Sequence, residues 1–150
     1  MEENNDSQEF WAEKESEIGR SVLFKSFARF IGETGKGPLN LSGLLFATDD
    51  RVYFEDFEKS TMLDIFTKKK KKYEKYTMNF LIDDAAEMRK VSESSAEACI
   101  NGSLEEAKPQ GALGGLFGTP AWEIKFKTGG SYFFELFEPG YLLKTINTQE

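Results

Sequence analysis

Five consecutive lysines, Lys68, Lys69, Lys70, Lys71 and Lys72, with Lys75 close behind and Tyr73 and Tyr76 interleaved, form the densest run of charge in the chain. An unpaired ammonium is too costly to bury, so this run must project into water from a loop or a strand edge. Beside an anionic bilayer each lysine contributes on the order of 1 kcal/mol, weakening as salt rises, and the two tyrosines suit the headgroup level. The plainer reading is a solvated loop that keeps strand edges from pairing with other chains. A lysine and tyrosine surface for single-stranded nucleic acid is the least favoured of the three. A second candidate is Leu113, Leu116 and Phe117 within GALGGLFG, Gly111 to Gly118. Such an apolar group on a flexible loop can dip into a bilayer or a partner's groove, or fold back over an open end of the domain.

Catalytic readings fare worse. The chain has no histidine, which removes the commonest general base and metal ligand, and its one cysteine, Cys99, has no histidine to activate it. Adjacent carboxylates occur at Asp49-Asp50 and Asp83-Asp84, but neighbouring residues of a strand point to opposite faces, and acids at strand ends more often shape turns than form a dyad. The glycine-rich stretch lacks the Gly-Lys-Ser/Thr ending of a phosphate-cradling loop. The expectation is a non-enzymatic protein without cofactor or metal. A single cysteine cannot form an internal disulfide and fits a reducing cytoplasm. The first residues, MEENNDSQEF, carry no apolar export signal, and nowhere do about 18 apolar residues run together as a spanning helix requires. A cytoplasmic protein, at most peripheral to a membrane, is expected.

These features need a scaffold, and 150 residues suffice for one domain with a core. The 14 Phe, 5 Tyr and 2 Trp lie mostly in short runs bounded by Gly, Asp or Ser, which favours strands. Of the formal net charge of -7, five negative charges belong to residues 1–20, where seven acids face only Lys14 and Arg20. This imbalance argues against general nucleic-acid binding by the whole molecule.

Residues 1–19 read as an acidic leader, either a short helix over Gln8 to Ile18 capped by Asp6 or Ser7, with Phe10, Trp11 and Ile18 docking, or a solvated tail. The domain then occupies residues 20–147. From Arg20 to Ile31 both faces of an alternating strand carry apolar residues, as in a strand that bends and packs two ways. After the glycine-rich loop Gly32 to Pro38, the stretch LSGLLFATDDRVYFE, Leu41 to Glu55, is a hairpin turning at Asp49-Asp50. Phe57 to Phe66 reads as loop. Met78, Phe80 and Ile82 alternate in a strand emerging from the lysine run, and Met88 and Val91 anchor a turn of helix or a short strand. Residues 92–120, rich in Ser, Glu, Ala and Gly, are expected to be a long flexible insertion with one weak strand near Ala98 to Ile100. Trp122, Ile124 and Phe126 alternate with Glu123, Lys125 and Lys127, predicting a hairpin through Thr128-Gly129-Gly130 with one core face and one wet face. Beyond Pro139, Leu142, Leu143 and Ile146 share one side of a closing helix.

This succession resembles the GRAM and bacterial pleckstrin-homology-like families. Their second and third strands typically carry G-x-L-x-x-T-x-x-R-x-x-F, and Gly43, Leu45, Thr48, Arg51 and Phe54 stand at comparable positions here. The likeness covers about residues 20–147. It implies a mainly β fold, a partly open barrel of about seven antiparallel strands capped by a C-terminal helix. It further implies a docking module for an anionic membrane surface or phospholipid. The alternative is a protein-interaction or self-association module using a sheet edge or the 111–118 loop. The long 92–120 stretch and the lysine-rich loop both exceed the compact pattern of these families.

Overall fold

The computed structural model describes residues 2–57, 76–108 and 120–148, with side chains from Gln8 onward. Seven strands, β1 (Phe24–Glu33), β2 (Pro38–Ala47), β3 (Arg51–Asp56), β4 (Thr77–Leu81), β5 (Ala85–Val91), β6 (Ala121–Phe126) and β7 (Ser131–Leu136), form one antiparallel sheet curled into a half-barrel. Its order is β4-β3-β2-β1-β7-β6-β5, so the long first strand stands in the middle and joins the two arms. Three helices complete the described chain: α1 (Glu2–Ile18), α2 (Glu93–Ile100) and α3 (Gly140–Asn147).

The inner face is the main core. Phe30, Leu45, Phe54, Met88, Ile124 and Phe134 are fully buried there, and Leu142 and Ile146 of α3 close it. The rings interlock, Phe30 lying 4.9 Å from Phe134 and 5.7 Å from Phe54 between centroids. Asn147 at the end of α3 both accepts from the Met88 amide, at 2.8 Å, and donates to the Met88 carbonyl, at 2.9 Å. That pair satisfies backbone groups which the edge strand β5 would otherwise leave open to another chain.

A second core lies on the outer face beneath α2, where Ile31, Val91, Ala96, Cys99, Ile100, Ala121 and Phe133 pack together. The double-sided first strand is thereby explained. By ordinary alternation Phe30 faces the inner core and Ile31 the outer one, and a bulge between Phe30 and Gly32 then shifts the register so that Glu33 pairs with Tyr132.

The hairpin of Leu41 to Glu55 forms as expected and shows what its spaced residues do. Gly43 lets β3 approach β2 closely, Leu45 and Phe54 enter the core, and Arg51 donates to Asn79 Oδ1 on β4 at 2.6 Å. The buried Thr48 hydroxyl accepts from the Arg51 amide and donates to Asp50 Oδ1, which fixes the turn. Asp49 binds Arg20 at 2.7 Å, so the paired acids belong to turn and surface. β4 and the turn after it bury Met78, Phe80 and Ile82, and Met88 and Val91 lie on a strand.

Three expectations need correction. Residues 98–100 are helical, because the Ser92 hydroxyl caps α2 by accepting from the Ser95 amide, while Ala96, Cys99 and Ile100 fall on one buried side. The first part of the 92–120 stretch is therefore packed structure; residues 109–119 lie outside the described chain. The wet face of the last hairpin is partly covered: Glu123 is only 3% exposed, because α2 and the segment after it overlie that face. Of the two readings of the leader the docked helix is the one formed, and only its start needs correction, to Glu2 from Gln8: the Trp11 ring meets Phe46 edge-on at 5.4 Å, and Lys14 pairs with Glu55. No helix among the described residues is long and apolar enough to cross a membrane.

Candidate functional site

The lysine run, Lys68, Lys69, Lys70, Lys71 and Lys72 with Lys75, lies outside the described residues, and so does the apolar group Leu113, Leu116 and Phe117. The structure defines instead where their connections begin and end. The β3–β4 connection is closed at its base, since the Asp56 amide donates to the Tyr76 carbonyl at 3.0 Å and the Tyr76 amide donates to Asp56 Oδ1 at 2.9 Å. The connection after α2 leaves from Lys108, whose amide donates to Ser95 Oγ at 3.0 Å and whose carbonyl accepts from the Ser92 amide. Both sequence-named segments thus spring from fixed points on the scaffold.

At the first of those points the outer face is apolar. Phe57, the last described residue before the lysine-bearing connection, is 38% exposed, and its ring lies 5.9 Å from that of Phe27, which is 59% exposed. Phe137, 73% exposed, follows Leu136, the partner of Ala28, at the bend that ends β7. Phe27 and Phe57 share one exposed face, although ring area left in water is unfavourable without a partner. They stand between α1, which covers Phe46, and α2, which covers Ile31. Two basic side chains on β1 flank them. Lys25 rests over the Trp11 ring at 4.9 Å, and Arg29 forks onto Glu135 at 2.7 and 3.0 Å. Alternation along β1 sets Phe27 on the face opposite Phe30, but its exposure depends on what the helices leave uncovered.

The inner face near the β6–β7 turn is more polar than a core. Burial, and then the Glu33 carboxylate, raise the pKa of both Tyr76 and Tyr132 above the usual tyrosine value. The folded state therefore favours the neutral phenols, so their contribution is fully present below about pH 10 and is lost as pH rises through the higher folded values. Denaturant midpoints measured from about pH 9 to about pH 11 are expected to fall, and Tyr132→Phe to flatten part of that decline. An unchanged slope in the variant would remove Tyr132 from the account.

Cys99 is buried and its thiol is pushed up, mainly by that burial, so it is no activated nucleophile. A cavity of about 210 Å³ lies between α2 and the first two strands, lined by Arg29, Asn40, Glu93, Glu97 and Asn101 among others, with charges of both signs and no convergent chemistry. Compared with known proteins, the chain matches no family model and no curated protein. The functional reading therefore rests on the fold and on its surface residues.

Proposed function

We propose that this half-barrel is a non-enzymatic docking module that binds peripherally to anionic membrane surfaces, using Lys68 to Lys72 and Lys75 for attraction and the exposed phenylalanines for contact. The observation that carries the reading is the exposed pair Phe27 and Phe57, set where the lysine-bearing connection leaves the sheet. Neither feature suffices alone. Lysines at about 1 kcal/mol each are screened by salt, while a ring moved fully out of water gains about 1.5–3 kcal/mol and gives contact that salt does not erase. The glycine-flanked Leu113, Leu116 and Phe117 add a second apolar group. The resemblance to pleckstrin-homology-like modules agrees with this reading, since a partly open barrel closed by a C-terminal helix is the architecture it implies; fold alone assigns no ligand.

Co-sedimentation of the full chain with phosphatidylserine-containing vesicles at low and moderate salt tests the proposal. Binding is expected to fall at least tenfold when Lys68, Lys69, Lys70, Lys71 and Lys72 all become glutamate, and to weaken with salt in the parent chain. Binding to neutral vesicles that equals binding to anionic ones, or binding untouched by the lysine changes, would refute it. A protein that ignores vesicles but doubles its mass in light scattering would point to self-association through the same face.

A further inference from the structure

The half-barrel has a mouth that the membrane reading does not use. A cavity of about 330 Å³ opens beside the β6–β7 turn, lined by Phe80, Phe126 and Tyr132 with Glu33, Asp84 and the turn residues Thr128 and Gly129. The three rings are mutually inclined. Centroids of Phe126 and Tyr132 lie 4.8 Å apart at 80°, those of Phe80 and Phe126 5.2 Å apart at 79°, and those of Phe80 and Tyr132 5.8 Å apart at 63°. They pack edge to face into one aromatic wall, with Phe80 behind it, only 7% exposed. Phe126 and Tyr132 are only half-buried, packed on the core on one side and open to the cavity on the other.

The carboxylate in this corner is there because of the bulge in β1. With unbroken alternation from Phe30, residue 33 would point to the outer face; the shift between Phe30 and Gly32 pairs Glu33 with Tyr132 and turns it inward. Bulges often re-aim one side chain in this way. Asp84, in the turn between β4 and β5, supplies a second negative charge at the rim. None of the described residues lining the cavity is lysine or arginine. Aromatic faces and carboxylates together favour one chemistry, a cation whose charge is spread over apolar substituents: the rings attract it through their electron-rich faces, the acids through charge, and neither demands a hydrogen-bond donor. The volume lies at the small end of ligand cavities.

We infer that this mouth binds a small organic ammonium ion of the choline type, resting against the cavity side of Phe126 and Tyr132 with Glu33 as counter-ion. The site shares no residue with the Phe27 and Phe57 pair or the lysine run, so either reading can fail without the other.

Titration of the full chain with tetramethylammonium chloride, then choline chloride, followed by amide chemical shifts in two-dimensional NMR, tests the inference, with potassium chloride as the ionic control. Saturable shifts clustered at residues 126–132 and at Glu33 are expected, with a Kd in the millimolar range or tighter. Glu33→Gln, which keeps shape and removes charge, is expected to weaken binding about tenfold. Phe126→Leu, which keeps apolar bulk and removes the ring face, should do the same. Should Glu33→Gln prove unfolded, Phe126→Leu carries the test alone. Shifts that potassium reproduces, shifts that do not saturate, or affinity unchanged in a folded variant would overturn it.

Discussion

Gly43→Ala is expected to destabilise the protein by about 3 kcal/mol or more, enough to leave a small domain largely unfolded. A Cβ at this position would sit 2.0 Å from the Glu55 carbonyl oxygen and 2.7 Å from Asp56 Cα. Both neighbours are backbone, so no rotamer change relieves the overlap, and β2 must part from β3. The separation would break the pairing of Gly43 with Asp56 and the bond from the Phe57 amide to the Ser42 carbonyl. It would also loosen the clamp between Asp56 and Tyr76 that closes the lysine-bearing connection. Urea denaturation followed by circular dichroism checks this, with the exposed neighbour Ser42→Ala as a control expected within about 0.5 kcal/mol of the parent. A Gly43→Ala variant as stable as that control would mean that the two strands do not approach as closely as described.

Arg89→Ala is expected to cost about 3 kcal/mol, the usual consequence of stripping the partner from a buried charge. Arg89 Nε donates to Glu123 Oε1 at 2.6 Å and Nη2 to the Ala107 carbonyl at 2.6 Å, while Ser131 Oγ donates to Glu123 Oε2 at 2.7 Å. Without the guanidinium, a carboxylate on a residue only 3% exposed keeps the hydroxyl alone. The segment that ends at Lys108 also loses a tie to the sheet, so faster proteolytic cleavage between α2 and β6 should accompany the stability loss. Replacing both partners by apolar residues, Arg89→Met with Glu123→Leu, should recover much of the deficit, because the pair offsets its own desolvation rather than adding large net stability. A single variant costing under about 1 kcal/mol would show that the network is more hydrated than the structure indicates.

Much of this architecture was legible in the chain. The hairpins of Leu41 to Glu55 and Trp122 to Phe137 announce themselves through alternation around polar or glycine-rich turns, and Met78, Phe80 and Ile82 mark β4 by period alone. What escaped depends on partners distant in sequence. The helix α2 is short and its apolar residues are few, and the loop-like composition around it hides the Ser92 cap. Glu123 looked solvent-facing because Lys125 and Lys127 share its side of the strand, and nothing local reveals that Arg89 and Ser131 come to meet it. The bulge that turns Glu33 inward is a property of pairing, invisible in FARFIGE. The candidate site was legible by half: the lysine run stands out as charge, whereas the exposure of Phe27 and Phe57 depends on what the helices leave uncovered.

The proposed docking function joins those two halves, and one measurement addresses the junction. Partition of the full chain onto anionic vesicles, compared for the parent, the lysine-to-glutamate variant, Phe27→Ser with Phe57→Ser, and the combination, separates charge from apolar contact. Membrane docking through one continuous surface predicts that each change weakens binding and that salt sensitivity persists in the phenylalanine variant but disappears in the lysine variant. Full partition by the phenylalanine variant and the lysine variant alike would contradict it.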